Sequence, residues 1–249
     1  MVDVSETFIA SISRDRFSAQ VTCVLWGHCL LNVHGVPSIV SSIDFVIPND
    51  SAGTAEQTLA RSDDLVHCSN PEVCHTSSKD RRTPPPAFHF HIRTSDITVG
   101  IYLQSETLWF MPPLRESLPS PSLLEPHSSY ILASDQQCLP PWRPGRGSGF
   151  FKSGEDPIIV PKSHILLEAF LRLYARDAGQ RIGGFALPMI GYMEMYVDDD
   201  GFLDARLLPE PLQKFYRELR EGKKPVRQWM KELKAALGIP FQDSEDDSD

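Results

Sequence analysis

Residues 24–48, VLWGHCLLNVHGVPSIVSSIDFVIP, change hydrophobic period twice in one short stretch, and this limits the folds open to the chain. Thr22 to Trp26 (TCVLW) is a continuous apolar run, the signature of a buried strand. From His28 to His34 the side chains of Leu30, Leu31 and His34 fall at helical spacing, and Gly35-Val36-Pro37 stops that helix. Ser38 to Pro48 is β-branched and apolar, with Ile43, Phe45 and Ile47 alternating, so it predicts a second strand. A strand that turns at one glycine into a short helix and returns as a strand belongs to an α/β unit.

The pattern continues to about residue 105. Asn49 to Gly53 predicts a turn, and Thr54 to Arg61 (TAEQTLAR) a helix with Thr54 as its N-cap. Leu65 to His75 is a connection bearing Cys and His, and Ser77 to Pro86 is a polar, proline-rich loop. Ala87 to Arg93 (AFHFHIR) and Ile97 to Gln104 (ITVGIYLQ) predict two further strands around a Thr94-Ser95-Asp96 turn. The expected fold class is therefore α/β (α+β), a mixed sheet with flanking helices over residues 1–105.

Beyond it, residues 106–160 hold much of the chain's 21 prolines, in stretches such as CLPPWRPGRGSGFF. Proline removes a backbone donor and fixes φ, so an irregular insert or linker is expected. Residues 161–240 form a helical C-terminal region: Ile165, Leu166, Phe170, Leu173 and Tyr174 make one stripe ended by Gly179, and three more helical segments follow near 184–196, 209–221 and 225–237. The acidic end, residues 241–249, carries the composition of a disordered tail. Asp198-Asp199-Asp200-Gly201 resembles a calcium loop only superficially: with Gly201 as the sixth position, Tyr196 and Leu207 would be the first and twelfth, neither a carboxylate, so a helix-ending turn is expected.

The formal net charge of -9 argues against binding extended nucleic acid, which needs a basic surface. No run approaches the ~18 apolar residues of a membrane span, and no secretory leader is visible. Five cysteines, an odd number, fit a reduced intracellular protein, cytoplasmic or nuclear.

Trp26-Gly27-His28, followed after residues 29–41 by Ser42-Ile43-Asp44-Phe45, resembles the signature of the nucleotidyltransferase superfamily, which includes polymerase beta and the minimal nucleotidyltransferases. The helix ending in His34-Gly35 looks like a variant of that signature, and the "VLWG…GVP" start with a two-cysteine connection resembles a group of fungal proteins. The resemblance covers residues 20–105. It implies a Gly-Ser turn that lets backbone N–H groups approach a triphosphate, and two strand acids that hold two divalent metals. This chain departs from that pattern: His28 stands at the second turn position, Ser42 at the first acid, and only Asp44 remains. The strand that would add a third acid offers His89 and His91. One carboxylate with imidazoles is a poor cage for Mg²⁺ or Mn²⁺.

What the resemblance implies is thus a catalytically degenerate protein that binds a nucleotide, another small molecule or a protein partner. Its ligand-binding residues would be Gly27, His28, Asp44, His89 and His91, with Ser42 and Asp44 a vestigial catalytic pair. Two alternatives stay open. One is an active transferase acting on a small-molecule or protein hydroxyl, with Asp44 holding Mg²⁺ or Mn²⁺. The other is a scaffold that works through its helical half and acidic tail. Each residue also has a plain structural role: Asp44 as a turn cap, and His89 and His91, two apart, as one face of a strand.

His67-Cys68 and Cys74-His75 put four zinc-type ligands close together, but without the usual spacing between ligands. A loop with two buried thiols, or a transient disulfide, is the alternative. Arg143, Arg146 and Lys152, beside Trp142, Phe150 and Phe151, could clamp a phosphate and base, or simply anchor a solvated loop.

Overall fold

The computed structural model describes residues 5–78, 80–118, 129–152 and 157–240; the acidic end at 241–249 lies outside them. The chain divides into two compact units, one from residues 1–79 and 85–162, the other from 80–84 and 163–249.

The first unit opens with a helix that the sequence pattern did not foresee, α1 (Glu6–Ser18). It buries Ile9, Ile12 and Ser13 at helical spacing. Serines break up its apolar stripe, which hides it from a periodicity argument. The apolar run then forms β1 (Val24–Trp26), which passes directly into α2 (Gly27–Val33). The helix ends as expected at Gly35: the N–H of Val36 bonds to the carbonyl of Leu31 and that of Gly35 to Asn32, both at 3.0 Å. That pair of bonds is the Schellman closure.

The next segments are β2 (Ser42–Ile47), α3 (Ala52–Leu59), β3 (Leu65–His67), β4 (Phe88–Ile92) and β5 (Thr98–Leu103). A 3₁₀ turn at Asn49–Ser51 starts the third helix early, so Thr54 sits inside it and is not its N-cap. The five strands make one mixed sheet in the order β1-β2-β5-β4-β3; only the β2–β5 pair is parallel. The four strands expected from the sequence share this sheet, and β3 adds an edge within the Cys/His connection.

The proline-rich stretch carries more order than its composition foretells. It holds α4 (Gln104–Thr107), α5 (Leu114–Ser117) and an antiparallel pair, β6 (Tyr130–Leu132) with β7 (Ile159–Pro161). Leu108, Leu114, Leu139 and Phe151 are buried. Short apolar anchors among prolines give packing without long elements.

The second unit is helical: α6 (Ser163–Asp177), α7 (Ala186–Tyr192), α8 (Leu212–Arg220) and α9 (Val226–Ala236), with α7 running on into a π-helical turn at Met193–Asp198. Trp229 closes its core. The indole stacks on Tyr174 and donates to the carbonyl of Phe215 at 2.8 Å. Arg220 binds both Asp198 and Asp199, and Tyr216 donates to Asp198, so these aspartates hold a turn to a helix.

Candidate functional site

Residues opposite one another in a sheet point to the same face. The register makes two such rows, Trp26–Asp44–Gly100–His89 and Ser42–Thr98–His91–Val66. The other face carries Ile43, Phe45, Phe90, Val99 and Ile101, all fully buried. The sheet thus has one apolar face and one that gathers the polar strand residues. Among the described strand residues of that second face, Asp44 is the only carboxylate.

Asp44 is 5% exposed. Ser42, two residues before it on the same face, donates from Oγ to Asp44 Oδ2 at 2.8 Å. Gly27 and Gly100 flank the carboxylate. Gly27 has φ +66°, and a methyl group built on it would lie 2.5 Å from Asp44 Oδ2; one on Gly100 would lie still closer to Oδ1. The turn glycine therefore makes room for this chain's own aspartate, and the glycine of the ITVGIYLQ strand makes room from the other side. Burial, and then the charge of Asp44, push the Cys29 thiol up to about 12. His28 lies with Nδ1 2.5 Å from Ser38 Oγ, and burial lowers its pKa, so the ring at the second turn position is neutral at pH 7.

Beside α2 lies a cleft of about 430 Å³, lined in part by Cys29, Asn32, Ser38, Ile39, Trp142 and Arg146. Cys29 links it to the Asp44 region, its Sγ lying 3.9 Å from the carbonyl of Ser42. Ile39 is 90% and Trp142 63% exposed. Two large apolar side chains open to solvent beside an arginine suit a small ligand with a flat apolar part and a negative or acceptor group. Of the basic loop residues, Arg146 reaches this cleft, whereas Lys152 bonds through its backbone N–H to Glu6.

The zinc-type quartet expected at His67, Cys68, Cys74 and His75 is not gathered in that form. Neighbours on a strand point to opposite faces. His67 pairs across from Phe90 on the apolar side, stacks edge-on against that ring and binds Glu56 at 2.8 Å. Cys68 turns the other way, and its N–H reaches the carbonyl of His89. His75 is exposed. The ligand atoms that do meet are those of Cys68, Cys74, His89 and His91, all within 4.8 Å of one another. His89 and His91 therefore face two thiols.

No family model matches the sequence, and no curated protein matches it. Among solved structures the chain is similar to an antigenic nucleotidyltransferase-like protein from Paracoccidioides brasiliensis, 13% identical over 90% of this chain and 91% of that one, with a TM-score of 0.45. It is also similar to ANT(2")-Ia in complex with adenylyl-2"-tobramycin, 11% identical over 93% and 95% of the two chains, with a TM-score of 0.37.

Six participants in these sites escaped the sequence reading: Cys29, Asn32, Ser38, Ile39, Ser77 and Gly100. Only Gly100 left a signal, since a glycine inside a strand marks a close approach. No helix of the described residues is long and apolar enough to cross a membrane.

Proposed function

We propose that this chain is a catalytically degenerate nucleotidyltransferase-fold protein that acts by binding a small ligand, a nucleotide or a molecule of similar chemistry, in the cleft beside α2. The observation that carries the reading is the state of Asp44. Two-metal phosphoryl transfer needs carboxylates bridging two cations at a site that a triphosphate can reach. Asp44 has a hydroxyl donor, Ser42, where the partner acid would stand, and two glycines closing on its oxygens. The neutral His28 ring offers no positive charge to a phosphate. Trp142, Ile39 and Arg146 supply the binding chemistry instead, by stacking and by a guanidinium contact.

Calorimetric titration with a panel of nucleoside triphosphates, with and without Mg²⁺ or Mn²⁺, tests this. Binding should be independent of metal, and Trp142→Ala or Arg146→Ala should weaken it at least about tenfold, the loss of ~1.4 kcal/mol of contact. Asp44→Ala should leave it within about twofold. Metal-dependent incorporation of labelled nucleotide, abolished by Asp44→Ala, would overturn the reading and establish an active transferase.

Ser42→Asp probes the same point from the opposite direction. It replaces the donor to Asp44 by a second carboxylate on the same face. The metal-free protein should lose about 2 kcal/mol, the size of a hydrogen bond to a charged group. Mn²⁺ should restore part of that loss by binding the folded state, while the wild type gains little. Identical melting of the variant with and without Mn²⁺ would show that Ser42 does not stand at a metal position.

A further inference from the structure

We propose that Cys68, Cys74, His89 and His91 form a structural zinc site that fastens the loop after β3 to the sheet. Its four ligands do not include Asp44 or any residue of the cleft, although His89 shares a sheet row with Asp44 across Gly100, and the site holds whether or not the cleft binds a nucleotide.

Four residues from three places in the sequence converge. Cys68 follows the edge strand β3, Cys74 lies in the irregular stretch after it, and His89 and His91 stand two apart on β4. Cys74 Sγ is 3.2 Å from His89 Nε2 and 3.7 Å from His91 Nε2. A tetrahedral zinc ion with Zn–S near 2.3 Å and Zn–N near 2.0–2.1 Å requires its ligand atoms to be about 3.3–3.8 Å apart. The two Cys74–histidine separations, 3.2 and 3.7 Å, lie close to or within that range, and no pair of the four ligand atoms is more than 4.8 Å apart. An inward shift of at most about 1.5 Å in any pair, by side-chain rotation, closes the tetrahedron.

The chemistry of the donor set selects the metal. Two thiolates and two imidazoles are the soft and borderline donors that suit zinc, whereas Mg²⁺, Ca²⁺ and Mn²⁺ favour oxygen. Binding Zn²⁺ releases the two thiol protons, so the completed site of two thiolates, two neutral rings and one dication carries no net charge and tolerates burial. Cys68 and His89 are buried, Cys74 and His91 half-buried. The four protein ligands fill the coordination shell and leave no position for substrate.

The surroundings are also those of a ligated histidine. His89 turns Nε2 to the cluster and sets Nδ1 3.2 Å from Ser77 Oγ. A hydrogen bond from Nδ1–H to that hydroxyl leaves the Nε2 lone pair aimed at the metal, the usual outer support of a metal-bound imidazole. The sheet explains the need. β3 is a three-residue edge strand, and the stretch from Cys68 to Ser78 contains neither helix nor strand. A cross-link here stabilises what hydrogen bonding alone holds weakly.

The test uses the full chain, stripped of metal under reducing conditions. Zn²⁺ should bind with one-to-one stoichiometry, measured by competition with a chromophoric chelator, and raise the melting temperature. Co²⁺ in its place should give the intense visible bands of a tetrahedral ion and a near-ultraviolet thiolate charge-transfer band. Cys68→Ser, Cys74→Ser, His89→Ala and His91→Ala should each weaken binding at least 100-fold, and Ser77→Ala about tenfold. His67→Ala, His75→Ala and Cys138→Ser should leave it unchanged.

If a ligand variant does not fold, alkylation of the wild type decides. Zinc should protect Cys68 and Cys74 while the exposed Cys138 stays reactive. Absence of stoichiometric binding, equal loss in His75→Ala, or a Cys68–Cys74 disulfide that persists in reductant with zinc present would each overturn the proposal.

Discussion

Gly100→Ala should destabilise the first unit by about 3 kcal/mol, a loss that removal of the Asp44 side chain should largely cancel. Overpacking a tight interior typically costs 1–3 kcal/mol, and here the displaced group is a buried, hydrogen-bonded carboxylate. A new methyl at Gly100 would overlap Oδ1, and the carboxylate cannot swing aside, because Gly27 blocks the other oxygen and Ser42 holds it. The backbone of Gly100 itself is not left-handed, so the penalty is steric alone. In an Asp44→Ala background the substitution should be nearly neutral, which makes a coupling of about 2–3 kcal/mol in the double-mutant cycle. Gly27→Ala should behave differently. Its φ of +66° adds roughly 1–2 kcal/mol of backbone strain that no change at Asp44 relieves. Rescue at Gly27 should therefore be partial where rescue at Gly100 is nearly complete. Urea denaturation gives the energies, and amide exchange in β2 and β5 assigns them to this sheet. If Gly100→Ala costs the same with and without Asp44, the carboxylate is not wedged between the glycines, and its tight packing no longer counts toward the proposed function.

That wedge also shows which parts of the site the sequence could convey. The alternation of Ile43, Phe45 and Ile47 placed Ser42 and Asp44 together on the opposite face, and the two-residue spacing did the same for His89 and His91. Strand parity needs only local sequence. What joins these strands does not. The Asp44–Gly100–His89 row depends on β5 inserting between β2 and β4, a non-local pairing that no single segment encodes. The metal-type quartet differed for a related reason. His67 and Cys68 cannot both turn to one face of the sheet, and the β3 register sets His67 against Phe90, while Cys74 and His75 lie outside any strand, where parity predicts nothing. The proline content of residues 106–160 spoke for irregular chain, but β6 and β7 find each other across a long interval and need no long element. Helix α1 was lost to the serines in its stripe.

His34 should make the stability of this fold depend on pH between about 6.5 and 4. The side chain is fully buried at the end of α2; its Nε2 lies 3.0 Å from the carbonyl of Pro161, to which it donates, while Nδ1 has no hydrogen-bond partner among the described residues. Burial lowers its pKa from 6.5 to about 4, only partly opposed by the Pro161 bond. Between those two values the unfolded chain binds a proton that the folded chain refuses, so stability rises with pH through this window and is lost as pH falls through it. The full difference is about 3 kcal/mol at ~1.4 kcal/mol for each unit. Carboxylates titrate over the same range, so the expected result is a difference between two proteins. Wild type should lose about 3 kcal/mol relative to His34→Gln on going from pH 7 to pH 4, because glutamine can still donate to Pro161 but takes up no proton. A stability difference that stays flat with pH would mean that His34 is protonated in the fold, with Nδ1–H donating to a group in the core. The end of α2 would then be held by a buried charge and not by a neutral ring.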